Sequence, residues 1–270
     1  MELGICSYSY HRLLKAGQHD LFKYILDCKE LGCTQLDPWN GHMAALKGES
    51  EFLGDAEEKF MADAEEAADV AGLPWGTIAV DGHTHIYEPT EEARRANRLR
   101  AYRWLNIAGT LGFEQVRIDA GGPEEMLDES FRVIVAGYED LIARAKPLGI
   151  QVLFENHFGP TIVPDNCVKL CESVEGLAML LDTHNFKPEL RDQGRRKCAR
   201  YAAATHVKTF NWDASGKEVT PDEKVEEAIK VIMDSGYKGV WGVESTPADG
   251  DERGGARRTV DLIRRTVTEG

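Results

Sequence analysis

Residues 151–160 read QVLFENHFGP: an apolar run suited to a buried strand that ends in Glu155, Asn156 and His157. A carboxylate at the edge of a core needs a partner, because burying it alone costs several kcal/mol. The pattern recurs downstream. LAMLLDTH (177–184) ends in Asp182 and His184, HVKTF (206–210) opens with His206 and carries Lys208, and GVWGVES (239–245) reaches Glu244. Side chains alternate faces along a strand, so Glu155 shares a face with His157, Asp182 with His184, and His206 with Lys208. If Glu155, Asp182, His206 and Glu244 all turn inward, four neighbouring strands, ~4.8 Å apart, bring three carboxylates and one imidazole to one point. Such an oxygen-rich set suits one Mn²⁺, Mg²⁺ or Co²⁺ ion and is compatible with Zn²⁺ or Fe²⁺. Taken singly, each is better explained by an arginine partner or a helix cap. The three acids and His206 together, at the ends of four consecutive strands, favour the cation.

The elements that must hold these residues are legible as alternation. Short apolar runs at 3–9, 33–37, 75–81, 115–121, 151–157, 177–184, 206–210 and 239–245 are separated by amphipathic segments such as LFKYILDCKELG and KVEEAIKVIMDSGY. Gly32, Gly112, Gly149 and Gly236 stand where a helix would stop before the next strand. Near-continuous apolar strands alternating with helices predict a parallel sheet covered by helices. Eight such units in 270 residues predict an α/β fold, a (β/α)₈ TIM barrel spanning residues 1–270 as a single domain. In that fold the C-terminal ends of the strands carry the chemistry, which is where the acids stand. A doubly wound sheet is less suitable, since no glycine-rich phosphate turn follows the first run.

Composition narrows the class. The formal net charge is −14. It argues against sequence-independent binding to nucleic acid or anionic membrane, because such partners need a basic face. No stretch approaches the ~18 apolar residues of a bilayer span. The first residues, MELGICSYSY, lack a basic start followed by an apolar run. The six cysteines contain no CxxC pair and read as reduced packing residues, so a cytoplasmic protein is expected.

The stretches VLFENHFG, LLDTHNF, HVKTF and WGVEST, with the opening LGICSYSY and the closing DERGGARRTVDLIRR, resemble the xylose isomerase-like barrels of the sugar (phosphate) isomerase/epimerase superfamily. The likeness runs over essentially the whole chain. It implies metal ligands at Glu155, Asp182, His206 and Glu244, and a sugar or keto-sugar substrate. The implied chemistry is proton abstraction beside a carbonyl through a metal-stabilised enediolate, ending in isomerisation or epimerisation. The superfamily also contains lyases and dehydratases, so a metal-dependent lyase acting on a keto-sugar, 3-keto-glycoside or dehydroshikimate-like substrate is the alternative. An endonuclease IV-like phosphodiesterase and a non-catalytic sugar-binding subunit rank lower. Ketose 3-epimerases carry a histidine three residues after the strand-six aspartate, where this chain has Asn185, and an arginine in the next loop, which here reads NWDASGKE. Dehydroshikimate dehydratases carry a histidine two residues after the strand-five glutamate, as His157 stands here.

Roles follow as expectations. Glu155 and Glu244 would serve as acid and base. His157, His184, Lys208, Arg117, His83, His85 and Trp39 would contact substrate. For His157 and His184, orienting a carboxylate is an equal reading, and for Lys208 so is an ion pair with Asp182 or Glu244. Assembly into a homo-oligomer is compatible with the class, although no interface can be read from the sequence.

Overall fold

The structure, a computed structural model, describes residues 1–220 and 223–269. Its parallel strands are β1 (Leu3–Ile5), β2 (Thr77–Val80), β3 (Gln115–Ile118), β4 (Gln151–Glu155), β5 (Ala178–Asp182), β6 (Ala202–Thr209) and β7 (Val240–Ser245). They form one sheet in the order β1-β7-β6-β5-β4-β3-β2. The helices between and after them are α1 (His11–Lys15), α2 (Leu21–Glu30), α3 (Asp55–Ala71), α4 (Glu91–Leu111), α5 (Asp128–Ala145), α6 (Pro164–Ser173), α7 (Arg191–Cys198), α8 (Val225–Asp234) and α9 (Glu252–Glu269). This is the TIM-barrel architecture. Among the described residues no helix is long and apolar enough to cross a membrane.

The expected second strand, 33–37, does not form a continuous ladder. Residues 34–40 instead lie between β1 and β2 and bond to both. Thr34 donates to Leu3 O (2.8 Å) on one side, and Asn40 donates to Ala79 O (2.9 Å) on the other. Pro38 has no N–H to give. The Asp37 carboxylate takes over part of the ladder by accepting from the Thr77 N–H at 2.7 Å. Two other expected boundaries shift. The first strand stops at Ile5 because Ser7–Tyr10 winds into a 3₁₀ turn, and the seventh begins at Ala202, so His206 sits in its middle rather than at its start.

Alternation along the strands sorts the core into two layers. Val152 and Phe154 of β4, Met179 and Leu181 of β5 and Val207 of β6 belong to the large apolar cluster that also takes in the helices. Leu153, Leu180 and Ala204 form a separate small cluster inside the barrel. Two residues beyond each of these three come Glu155, Asp182 and His206, so period-2 geometry stacks them on that apolar floor. Helix ends fix how each strand is fed. Asp20 accepts from the Lys23 N–H at 2.8 Å to start α2, and Gly112 closes α4 at φ 77°, a conformation costly for any residue with a Cβ.

Candidate active site

Glu155, Asp182, His206 and Glu244 are all buried, and one ligand atom from each lies within 4.8 Å of all the others. The strand register explains the convergence: Asp182 pairs with His206 across β5 and β6, and Lys208 pairs with Glu244 across β6 and β7. Gly242 leaves room for the imidazole, since a Cβ there would meet Thr205 O at 2.1 Å and His206 Cδ2 at 3.3 Å. Asn156 is structural. It donates to Asp182 O (2.9 Å) and accepts from the Asp182 N–H (2.8 Å), clamping the tips of β4 and β5 together.

The donor set fits a cation. Asp182 Oδ1 is consumed by the N–H groups of His184 (2.6 Å) and Asn185 (2.9 Å), leaving Oδ2 for the centre. Asp182 Oδ2, Glu155 Oε2 and His206 Nδ1 are buried without an aligned hydrogen-bond partner. Each has a charged neighbour instead, Lys208 Nζ at 3.1 Å, Arg117 Nε at 3.1 Å and Glu244 Oε2 at 2.9 Å respectively, and three buried carboxylates converging with one imidazole form a donor set that suits a divalent cation.

Charged neighbours bracket the cluster. Lys208 Nζ lies 3.1 Å from Asp182 Oδ2 and 3.2 Å from Glu244 Oε1, and it donates to Asn185 Oδ1 at 3.0 Å. Asn185 in turn donates to Glu155 Oε1 at 3.2 Å. On the opposite flank Arg117 reaches Asp81 (2.7 Å), Asp119 (2.9 Å) and Glu155 (3.1 Å). Burial pushes the Glu155 carboxyl up, but Arg117 and His157 overcome it and hold the group well below the usual range. Burial likewise opposes ionisation of Glu244, yet Lys208 and His206 bring it down to about 2. Asp182, the most enclosed, is raised by burial despite Lys208.

A cavity of about 260 Å³ opens above the cluster, at the small end of ligand pockets and of a size for a monosaccharide. It is lined by Glu155, Glu244, His206 and Lys208 together with Arg117, Asp81, His157, Tyr8, Trp39 and Cys6. His157 Nδ1 lies 3.0 Å from Asp119 Oδ2; burial disfavours its charged form, but Glu155 and Asp119 raise its pKa to about 9. Tyr8 meets Trp39 edge-on at 5.1 Å and stacks on His11 at 4.4 Å.

Three expected substrate contacts lie elsewhere. β5 ends at Asp182, so alternation does not extend to His184, whose Nδ1 lies 2.8 Å from Glu223 Oε2 and whose ring packs on Phe210. β2 ends at Val80, and beyond it His85 turns to Glu88 (2.7 Å) while His83 lines a separate surface hollow with Arg100 and Trp104. Cys6 and Tyr8 reach the cavity without having been singled out. The signal was present for Cys6, which follows Gly4 at period 2 on a strand tip.

The chain belongs to the xylose isomerase-like TIM barrel family, whose model matches residues 25–266. Solved structures share the fold at low identity. The IOLI protein with a binding zinc atom aligns at TM-score 0.74 and 13% identity over 100% of this chain and 97% of that one. A probable 3-DHS dehydratase, AsbF, from Bacillus anthracis aligns at 0.72 and 13% over 99% of each chain. The 3-keto-D-glucoside 4-epimerase YcjR from E. coli aligns at 0.70 and 13%, over 93% of this chain and 95% of that one. No curated protein matched the chain.

Proposed function

We propose that the protein is a divalent-metal-dependent isomerase or epimerase of a small sugar or keto-sugar, working by removal of a proton beside a carbonyl. The observation that carries this reading is the convergence of Glu155, Asp182, His206 and Glu244 within 4.8 Å beneath a polar cavity. When bound there, a divalent cation supplies Lewis acidity to a carbonyl and its neighbouring hydroxyl. With His206 neutral, three carboxylates, the cation and the Lys208 ammonium balance to zero charge.

Glu155 and Glu244 come from β4 and β7, the outer two of the four adjacent strands, each ionised and able to take or return a proton, a contribution of about 10²–10⁴-fold. Lys208 presents positive charge to the oxygen that becomes anionic. Trp39 and Tyr8 offer aromatic faces to the C–H side of a sugar ring. Arg117 and Lys208 are both committed to carboxylates, which suits a substrate without phosphate.

One observation favours a lyase as the second reading. His157 lines the cavity with its Nδ1 3.0 Å from Asp119, and in that reading it hands a proton to the departing hydroxyl. Incubating metal-loaded protein with keto-sugars and 3-keto-glycosides in D₂O separates the two. Deuterium entering the carbon beside the carbonyl, with the substrate skeleton kept, supports the isomerase. Loss of water or aglycone supports the lyase. In Glu155→Gln and Glu244→Gln exchange should fall at least ~100-fold, and normal exchange in both variants would refute the proton-transfer roles.

A further inference from the structure

Cys6 has a position that packing does not explain. It follows Gly4 by two residues at the tip of β1, and its N–H donates to Val243 O at 2.8 Å. The β1–β7 register pairs Ile5 with Val243, which brings Cys6 level with Glu244. The Cys6 sulfur, a nitrogen of His206 and a carboxylate oxygen of Glu244 all lie within 4.8 Å of one another, and Cys6 is 2% exposed. The other cysteines differ: Cys167 and Cys198 donate to the backbone carbonyls of Thr161 and Pro164, and Cys28 and Cys33 lie in the apolar core. His206 and Glu244 belong both to this triad and to the four-residue cluster, so the sulfur borders the same centre.

We infer that Cys6 is a sulfur ligand of the metal centre and tilts its selectivity toward thiophilic ions such as Zn²⁺ and Co²⁺, rather than Mg²⁺ or Mn²⁺. The inference rests on the reading that the cluster holds a divalent cation. On ligation the S–H bond breaks, its proton passes to solvent and a sulfur–metal bond forms, with no change of oxidation state. Soft thiolate donors favour zinc and its neighbours, whereas an all-oxygen set favours magnesium and manganese.

The test is a Co²⁺ titration of the chelator-stripped full-length protein, followed by thiolate-to-cobalt charge-transfer absorption, beside the same titration of Cys6→Ser. The expected result is a band saturating at one equivalent, absent from the variant. The variant should still bind one Co²⁺, with Zn²⁺ affinity lowered about 10–100-fold and Mn²⁺ affinity little changed. Cobalt bound without the band overturns the sulfur ligand and leaves the metal centre standing. A band that survives in the variant assigns the sulfur to another cysteine and equally overturns it. No binding at all overturns both readings. X-ray absorption at the zinc edge of the unmodified protein, which should show a sulfur at ~2.3 Å, supplies a check that does not depend on the variant folding.

Discussion

Lys208 and Asp182 face each other across β6 and β5 with Nζ 3.1 Å from Oδ2, and the same ammonium lies 3.2 Å from Glu244. The chain therefore carries its own monovalent cation against two of the four converging side chains. Any metal that enters meets a site already partly neutralised, and Lys208 is left as the positive group nearest the reacting oxygens.

Replacing that ammonium should separate binding from turnover. In Lys208→Met the carboxylates lose a competing cation, so Mn²⁺ should bind as tightly as in the wild type or more tightly. Turnover should fall at least ~100-fold. The metal-free variant should lose about 3 kcal/mol of stability, because a buried charge has lost its partner. Calorimetric Mn²⁺ titration with paired kinetics checks this; weaker metal binding with normal turnover would contradict it.

Arg117 makes a different prediction. Its guanidinium is 3% exposed and satisfies Asp81, Asp119 and Glu155 together, a fork that one ammonium cannot reproduce. Both Arg117→Met and Arg117→Lys should destabilise the fold by about 3–5 kcal/mol, the methionine more. Urea unfolding reads the loss directly. An unchanged midpoint in the lysine variant would show that the fork carries no stability.

Acid should weaken the first quarter of the chain through His42. It is buried against His19, with His42 Nε2 3.0 Å from His19 Nδ1, and His19 Nε2 lies 3.1 Å from Asp27. Burial, helped by His19, lowers the His42 pKa from 6.5 to about 3. With the folded value below the unfolded one, the contribution of neutral His42 is complete above pH 6.5 and is lost as pH falls toward 3. Wild-type stability should fall across that window more steeply than His42→Gln, by up to about 1.4 kcal/mol per pH unit. Parallel slopes in denaturant unfolding at pH 7, 6 and 5 would contradict it.

What the sequence revealed and what it hid have the same physical origin. Glu155, Asp182 and Glu244 were conspicuous because each breaks an apolar strand at its inward end, where alternation still holds. His184, His83 and His85 were placed by carrying that alternation past the last ladder bond. The rule fails there: the Asp182 carboxylate caps the turn at 183–185, and the chain after Val80 bends toward α4. Cys6 and Tyr8 were passed over for another reason. Their types are common in cores, and Tyr8 lies past the strand in the 3₁₀ turn Ser7–Tyr10, where strand alternation gives no direction. The second strand was legible as a run but not as a set of bridges, since side-chain bonds from Asp37 cannot be foreseen from its neighbours.

The most direct measurement is anomalous diffraction from crystals of the protein loaded with Mn²⁺. A single strong peak should lie between the side chains of Glu155, Asp182, His206 and Glu244, and should vanish in Asp182→Asn. A manganese peak elsewhere, or an empty centre with Lys208 still bridging Asp182 and Glu244, would contradict the account.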